Sequence, residues 1–306
     1  MLDEIIKRIL YLIPVILGVI FVTFLIIHAI PGNPAEVILG LDATAENVAD
    51  LEKKMNLDKP LVVQYVKYIT QLLHGDLGYS YRTRRQVVDE VRARYLNTIL
   101  LTVIALVLAL AIGGIVGVFC ALKPNSFSDF ALRVFSVLGI SLPEFWTGFL
   151  LILLFAVSLR WFPSEGKHGV SSFFLPALTL SLSSIGMTAR LMRSSLLEIL
   201  REPYIRTARA KGVSKGMIVL RHALKNAMIP ALTILAFQIG RFLGGAVVVE
   251  TVFNWPGMGR LAIEAIMGRD IPVVQTATLI LALSYVVINL IADLLYVVLD
   301  PRIRYR

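Results

Sequence analysis

Thr98-Ile-Leu-Leu-Thr-Val-Ile-Ala-Leu-Val-Leu-Ala-Leu-Ala-Ile-Gly-Gly-Ile-Val-Gly-Val-Phe-Cys-Ala-Leu122 is a run of 25 residues without a charged side chain. At about 1.5 Å of rise per residue, a helix of this length crosses a hydrocarbon core about 30 Å thick. Five more stretches share its character: Ile9–Ala29, Phe130–Leu159, Leu175–Leu191, Ala227–Val249 and Thr276–Leu299. The apolar residues lie in unbroken blocks, not in alternation. Of the 306 residues 57% are hydrophobic and only 17% charged, and the mean hydropathy is +0.77. A soluble domain of this length needs a far more polar shell. The expected fold is all-α and polytopic, with six transmembrane helices.

Local chemistry refines the spans. Ile9–Ala29 is longer than the apolar core of a signal peptide and no small-x-small cleavage site follows it, so it reads as an uncleaved first span. Pro143 removes a backbone donor inside Phe130–Leu159 and predicts a kink there. The short fourth run is expected to continue as helix through Leu200. Orientation follows from loop charge. Between Arg190 and Lys225 nine Lys/Arg face only two acids, Glu198 and Glu202. Lys7-Arg8 and the tail Arg302–Arg306 are also net basic. Both termini are therefore expected in the cytoplasm. The net charge of +9 reads as retention of cations on that side and not as a nucleic-acid surface. Cys120 is the single cysteine, which excludes an intrachain disulfide or a multi-cysteine metal site.

The segment 30–97 would then lie outside the membrane, with nine basic and nine acidic residues. Leu61, Val62, Tyr65, Val66, Ile69, Leu72 and Leu73 recur at helical spacing. A second helix, Val87 to Tyr95, leads into the second span, and a small helical extracytoplasmic cap is expected.

The inner loop 201–226 reads Glu202-Pro-Tyr-Ile-Arg-Thr-Ala-Arg-Ala-Lys-Gly212, then Val-Ser-Lys-Gly-Met-Ile-Val-Leu-Arg-His-Ala-Leu-Lys-Asn-Ala-Met-Ile-Pro230. Pro203 suits a first helical turn, Gly212 a C-terminal cap, and Ser214 the cap of a second helix. A basic, amphipathic helix–turn–helix is predicted. The loop resembles the cytoplasmic EAA loop of ABC importer permeases, in the form found in the dipeptide/oligopeptide/nickel subfamily. The likeness extends to Ala29-Ile-Pro-Gly-Asn-Pro34, Gly75-Asp-Leu-Gly78, Arg193-Ser-Ser195, Glu250-Thr-Val-Phe-Asn-Trp-Pro-Gly-Met-Gly-Arg260, Arg269-Asp-Ile-Pro-Val-Val-Gln275, Asp293-Leu-Leu-Tyr296 and Asp300-Pro-Arg-Ile-Arg-Tyr305.

That resemblance implies a type I ABC importer permease fold over 1–306, in the cell inner membrane, forming half of a pore for di- or oligopeptides, with glutathione or chelated nickel as alternatives. It implies that Tyr204, Arg206, Thr207, Ala208, Arg209, Lys211, Gly212 and His222 couple the chain to an ATPase, the small Ala208 allowing close approach to a groove. Arg206 stands where the general loop has Glu, and Lys225 where it has Pro, so the chain itself would supply cations. The implied partners are a second homologous permease, two cytoplasmic ATPase subunits, an external substrate-binding protein and membrane lipid. No phosphate-binding G-x-x-x-x-G-K-[ST] occurs. This chain is thus expected to bind no cofactor and to catalyse nothing, with ATP and Mg on the ATPase subunits.

Two constellations remain. Glu144 and Arg241 fall at similar depth in the third and fifth runs, where each alone would be costly in lipid. They are candidate path residues, expected to approach each other. An ion-coupled secondary transporter would also use such residues, and is the rival class. Trp255-Pro256, in an irregular Gly/Pro turn, is expected either as an interfacial anchor or as an external gate or docking surface.

Overall fold

The computed structural model describes residues 14–25, 28, 32–40 and 43–299, with the side chains of 236, 237 and 292–299 left aside. The chain divides into two compact units, Met1–Thr98 with Pro256–Val286 and Ile99–Trp255 with Val287–Arg306. The tail Arg302–Arg306, and much of the first expected span, fall outside the described residues.

In the first unit, α1 (Pro14–Leu25) is a short apolar helix. α2 (Pro34–Leu39) and α3 (Ala45–Met55) begin at capping side chains: Asn33 Oδ1 accepts from the amide of Ala35 at 3.0 Å, and Thr44 Oγ1 from that of Asn47 at 3.3 Å. α4 (Leu61–Leu73) is the amphipathic helix that the periodicity predicted. A two-residue hairpin, β1 (Tyr79–Ser80) against β2 (Arg85–Gln86), pairs Tyr79 with Gln86. This small antiparallel ladder departs from the all-α expectation. It is anchored by the Ser80 hydroxyl, which donates to the buried Asp270 carboxylate. Burial pushes the Asp270 carboxyl above its ordinary range, against the pull of that hydrogen bond.

α5 (Val87–Leu122) joins the expected outer helix and second span in one piece of 36 residues, about 54 Å long. In the second unit, α6 (Phe127–Ser141) and α7 (Glu144–Leu151), continued by a π segment Ile152–Ser158, take the place of the single kinked third span; their axes bend by 115°. The reason is local. Leu142 is forced out of the helical region by the following proline, and Pro143 has no N–H to continue the ladder. A 3₁₀ turn Val170–Phe173 leads into α8 (Phe174–Ile199), which runs on as predicted. α9 is Pro203–Ala210. α10 (Lys215–Met217) passes through a π segment Ile218–Ala223 into α11 (Leu224–Val252). The second helix of the loop is therefore the start of the fifth span and not a separate element, and Pro230 lies inside it. α12 (Met258–Met267) was not foreseen, and α13 is Ile271–Leu299. Among the described residues four helices are long and apolar enough to cross a membrane, or five if α6 and α7 form one span.

The seam between α6 and α8 holds a polar cluster. Asp129 is fully buried, and Arg193 grips it with two nitrogens, Nη2 at 2.7 Å from Oδ2 and Nε on Oδ1. The amide of Asn125 adds a bond to Oδ2 at 3.0 Å. Nearby, Ser136 Oγ donates to the carbonyl of Gly186 across the seam at 2.9 Å. Deleting one partner of such a pair leaves an orphaned buried charge, at a cost of about 3–5 kcal/mol. Asp129→Leu and Arg193→Met are each expected to lower thermal stability in detergent sharply, and the double variant to recover most of the loss. Additive losses would show that the pair is not coupled.

Candidate coupling surface and path residues

α9 starts at Pro203, whose missing N–H is no loss in a first turn. It stops at Gly212, with φ +78°, where the amide of Gly212 bonds the carbonyl of Arg209 at 3.0 Å and that of Val213 the carbonyl of Ala208 at 3.2 Å. Nothing lies within 4 Å of the position that a Cβ would take at 212. Glycine is thus favoured by the backbone conformation alone and not by crowding. Ser214 occupies the next cap position, but its side chain makes no cap bond; its carbonyl accepts from Ile218 at 3.0 Å.

One face of α9 is seated. Ile205 is fully buried, and Ala208 and Val213 pack with it on Met192 and Leu196 of α8 and on Ile218, Ala223 and Ala227. Ala208, expected to face a partner, is turned toward this cluster, and its small size lets α9 lie close to α8. The other face is open: Arg206, Thr207, Arg209 and Lys211 are exposed. Tyr204 is exposed too, its hydroxyl accepting from Asn226 at 3.1 Å, and His222 is half-buried on the π segment. Among the described residues no ion pair engages Arg201, Arg206, Arg209, Lys211, Lys215, Arg221 or Lys225. Beside them Met217 and Leu220 are 49% and 70% exposed. A cationic surface flanked by open apolar side chains is suited to an acidic, partly apolar groove.

Glu144 is the first residue of α7, immediately past the break. Its carboxylate lies over Gly245 of α11, where a Cβ would come within 2.5 Å of Oε2. Arg241, one turn earlier on the same helix, is exposed, and its charge reaches Glu144 without an ion pair closing between them. The two groups are therefore neighbours on adjacent helices.

Trp255 differs from both expectations. It is completely buried, packed edge-on against Phe173 at 4.5 Å between ring centroids, and its amide bonds the carbonyl of Glu250 at 2.8 Å. Neither a lipid-facing belt nor a docking surface can use a ring with no exposed area. Past it, the carbonyl of Pro256 accepts from Asn97 Nδ2 at 2.7 Å, and the amide of Met258 bonds Thr98 Oγ1 at 2.8 Å. The turn is braced from within.

Residues 113–305 match the family described as "Binding-protein-dependent transport system inner membrane component", and residues 1–102 match its N-terminal companion. The chain belongs to this family. It is 43% identical over 306 residues to the glutathione transport system permease protein GsiC of Salmonella paratyphi A, and 42% to GsiC of Escherichia coli K12, with the full length of both chains covered in each case. It is 41% identical to the dipeptide transport system permease protein DppB of Alkalihalophilus pseudofirmus, again over all of both chains. A solved amino acid ABC transporter chain aligns with 70% of this chain and 94% of its own at 19% identity and a TM-score of 0.48, too loose a match to assign residues. The protein is thus an inner-membrane permease component of a binding-protein-dependent ABC importer, and the secondary-transporter reading is set aside.

Sequence reasoning missed the permease's Asp129–Arg193 pair and the buried bond from Ser184 Oγ to Gln238 Oε1, 2.5 Å, between α8 and α11. Arg193 had stood out only as part of a motif, and nothing along the chain pairs it with a residue 64 positions earlier. For Trp255, removing a buried indole costs about 3–5 kcal/mol. Trp255→Ala in the permease should therefore cut folded yield and melting temperature, while Trp255→Phe keeps most of both. Unchanged stability with a selective loss of binding-protein-stimulated ATPase activity would restore a docking role.

Proposed function

We propose that this permease forms half of a translocation path for short peptides, opposite a second homologous permease. Two cytoplasmic ATPase subunits drive it through the surface 201–226, and an extracytoplasmic binding protein delivers substrate. In this reading the chain crosses the membrane six times, both termini are cytoplasmic, and 30–97 lies outside. Relatives named for glutathione and for dipeptides support a peptide-like cargo with free charged ends. Hydrolysis of ATP, with its Mg, belongs to the partner subunits, and this chain is not itself an enzyme.

The observation that carries the coupling role is α9. It is a short helix whose apolar face is fixed to the ends of α8 and α11 and whose exposed face is cationic, with no carboxylate partner among the described residues. A rigid element so attached can turn a motion of an ATPase into a tilt of two spans. Glu144 and Arg241 are proposed to line the path, where opposite charges complement the ends of a passing peptide. Glu144 sits where the third span breaks, so its neighbourhood includes backbone free of a regular ladder, as membrane proteins tolerate around protein cavities.

Gly212 supplies the test. Asn tolerates positive φ, whereas a β-branched residue does not. Gly212→Val is expected to reduce dipeptide uptake at least tenfold, on the order of 1.4 kcal/mol or more, with normal amounts of chain in the membrane. Gly212→Asn should retain most uptake. Equal uptake by both variants would remove the turn from the coupling mechanism.

A further inference from the structure

The first unit contains a cavity of about 310 Å³ that the coupling and path residues do not touch. Its walls come from α1, from the end of α3, from α4, from the hairpin and from the start of α13. Its apolar surface includes Phe24, Leu57, Ile271 and Pro272. Small-molecule sites run from about 300 to 1,000 Å³, so a molecule at the lower end of that range fits.

The polar groups sort into those already satisfied and those left over. His28 is engaged on both nitrogens, with the carbonyl of Phe24 at 2.8 Å and with Gln64 at 2.9 Å. Lys54 is paired with Asp50 at 2.6 Å. Lys67 holds only the neutral Asn56 Oδ1, at 3.0 Å, and has no carboxylate partner among the described residues. Asp76 accepts the amide of Gly78 at 2.9 Å and has no cation partner among the described residues. Among the described residues the hydroxyl of Tyr68 and the side-chain amides of Gln71 and Gln275 find no hydrogen-bond partner. Gln275 is only 6% exposed and is one of the residues that line the cavity. An amide kept out of bulk water without a partner is costly unless something comes to meet it. Burial also holds the Tyr68 hydroxyl protonated, as a donor.

An exposed cation and an exposed carboxylate, neither ion-paired among the described residues, line the same cavity as the donor–acceptor amides and match the groups of a small zwitterion with an amide at its centre. We propose that this cavity binds a dipeptide, its carboxylate drawn to Lys67, its ammonium to Asp76, and its peptide unit to the side-chain amide of Gln275. The identity of the ligand rests on the peptide-import reading above; the charge pattern does not. A site here, apart from Glu144 and Arg241, would hold substrate on the extracytoplasmic face in that reading's topology.

The test is a calorimetric titration of L-alanyl-L-alanine into the full-length chain in phosphatidylcholine nanodiscs. Binding is expected, with N-acetyl-alanyl-alanine and alanyl-alanine amide each at least tenfold weaker. Lys67→Met, at an exposed position, should weaken the dipeptide at least tenfold but leave its C-terminal amide unchanged, since the amide has no carboxylate to lose. Asp76→Asn should show the converse with the N-acetyl probe, and Gln275→Leu should weaken all three. No binding, or equal binding of the three probes by all variants, would overturn the proposal. Tighter binding of O-phosphoethanolamine than of the dipeptide would overturn it too, in favour of a lipid headgroup. Cells that import no peptide while the titration behaves as expected would overturn the transport reading and leave this site standing.

Discussion

A carboxylate with no exposed surface, gripped by a guanidinium, sets the arrangement of the second unit. Asp129 sits in the first turn of α6 and Arg193 toward the end of α8, so the pair fixes two helices at one end. Burying that carboxylate is costly without a cation in contact, and the other nearby cation, Arg133, stands 3.8 Å away. Arg193 directly follows Met192 and precedes Leu196 by one turn, and both of those side chains lie beneath Ile205 of α9. The ion pair, the floor under α9 and the cationic face above it are therefore consecutive parts of one connection. In the proposed coupling, a force applied to α9 would pass to α8 through packed side chains, and from α8 to α6 through the ion pair.

The lipid imposes the second constraint. Backbone polar groups in hydrocarbon must be satisfied within the chain, which is why the apolar runs become helices. At two of the places where the ladder is interrupted, Leu142-Pro143 and the π segment Ile218–Ala223, the interruption adjoins residues proposed to do something. Glu144 begins the helix after the first break, and Arg221 and His222 lie in the last of the π segments. Irregular helical turns of this kind recur at functional sites because they re-aim side chains that a regular helix would point elsewhere.

Four of the apolar runs, and α9 of the inner loop, were legible as helices because their information is local. An uncharged run specifies a helix, and Pro203 and Gly212 specify where α9 starts and stops. Tertiary contacts decided what the sequence could not show. Pro143 announced a kink, and the local break at Leu142-Pro143 makes it a bend of 115°. Pro230, inside the expected fifth span, does not interrupt α11. Trp255 has the composition of an interfacial residue and is instead enclosed by Phe173. Only α12 had an overlooked local cue: Met258, Leu261, Ala262 and Ala265 share one helical face. The cavity in the first unit combines residues from 24 to 275, and no reading along the chain would bring them together.

The central claim is that the exposed face of α9 meets an ATPase while its buried face moves the spans. Photo-crosslinking tests it most directly, with a benzophenone amino acid placed at Thr207 on the exposed face in cells that make the whole importer. The account predicts an adduct with the ATPase subunit from Thr207, and none from Val62, an exposed position on α4. An adduct from Val62 with the ATPase, or adducts from Thr207 that never include it, would contradict the account.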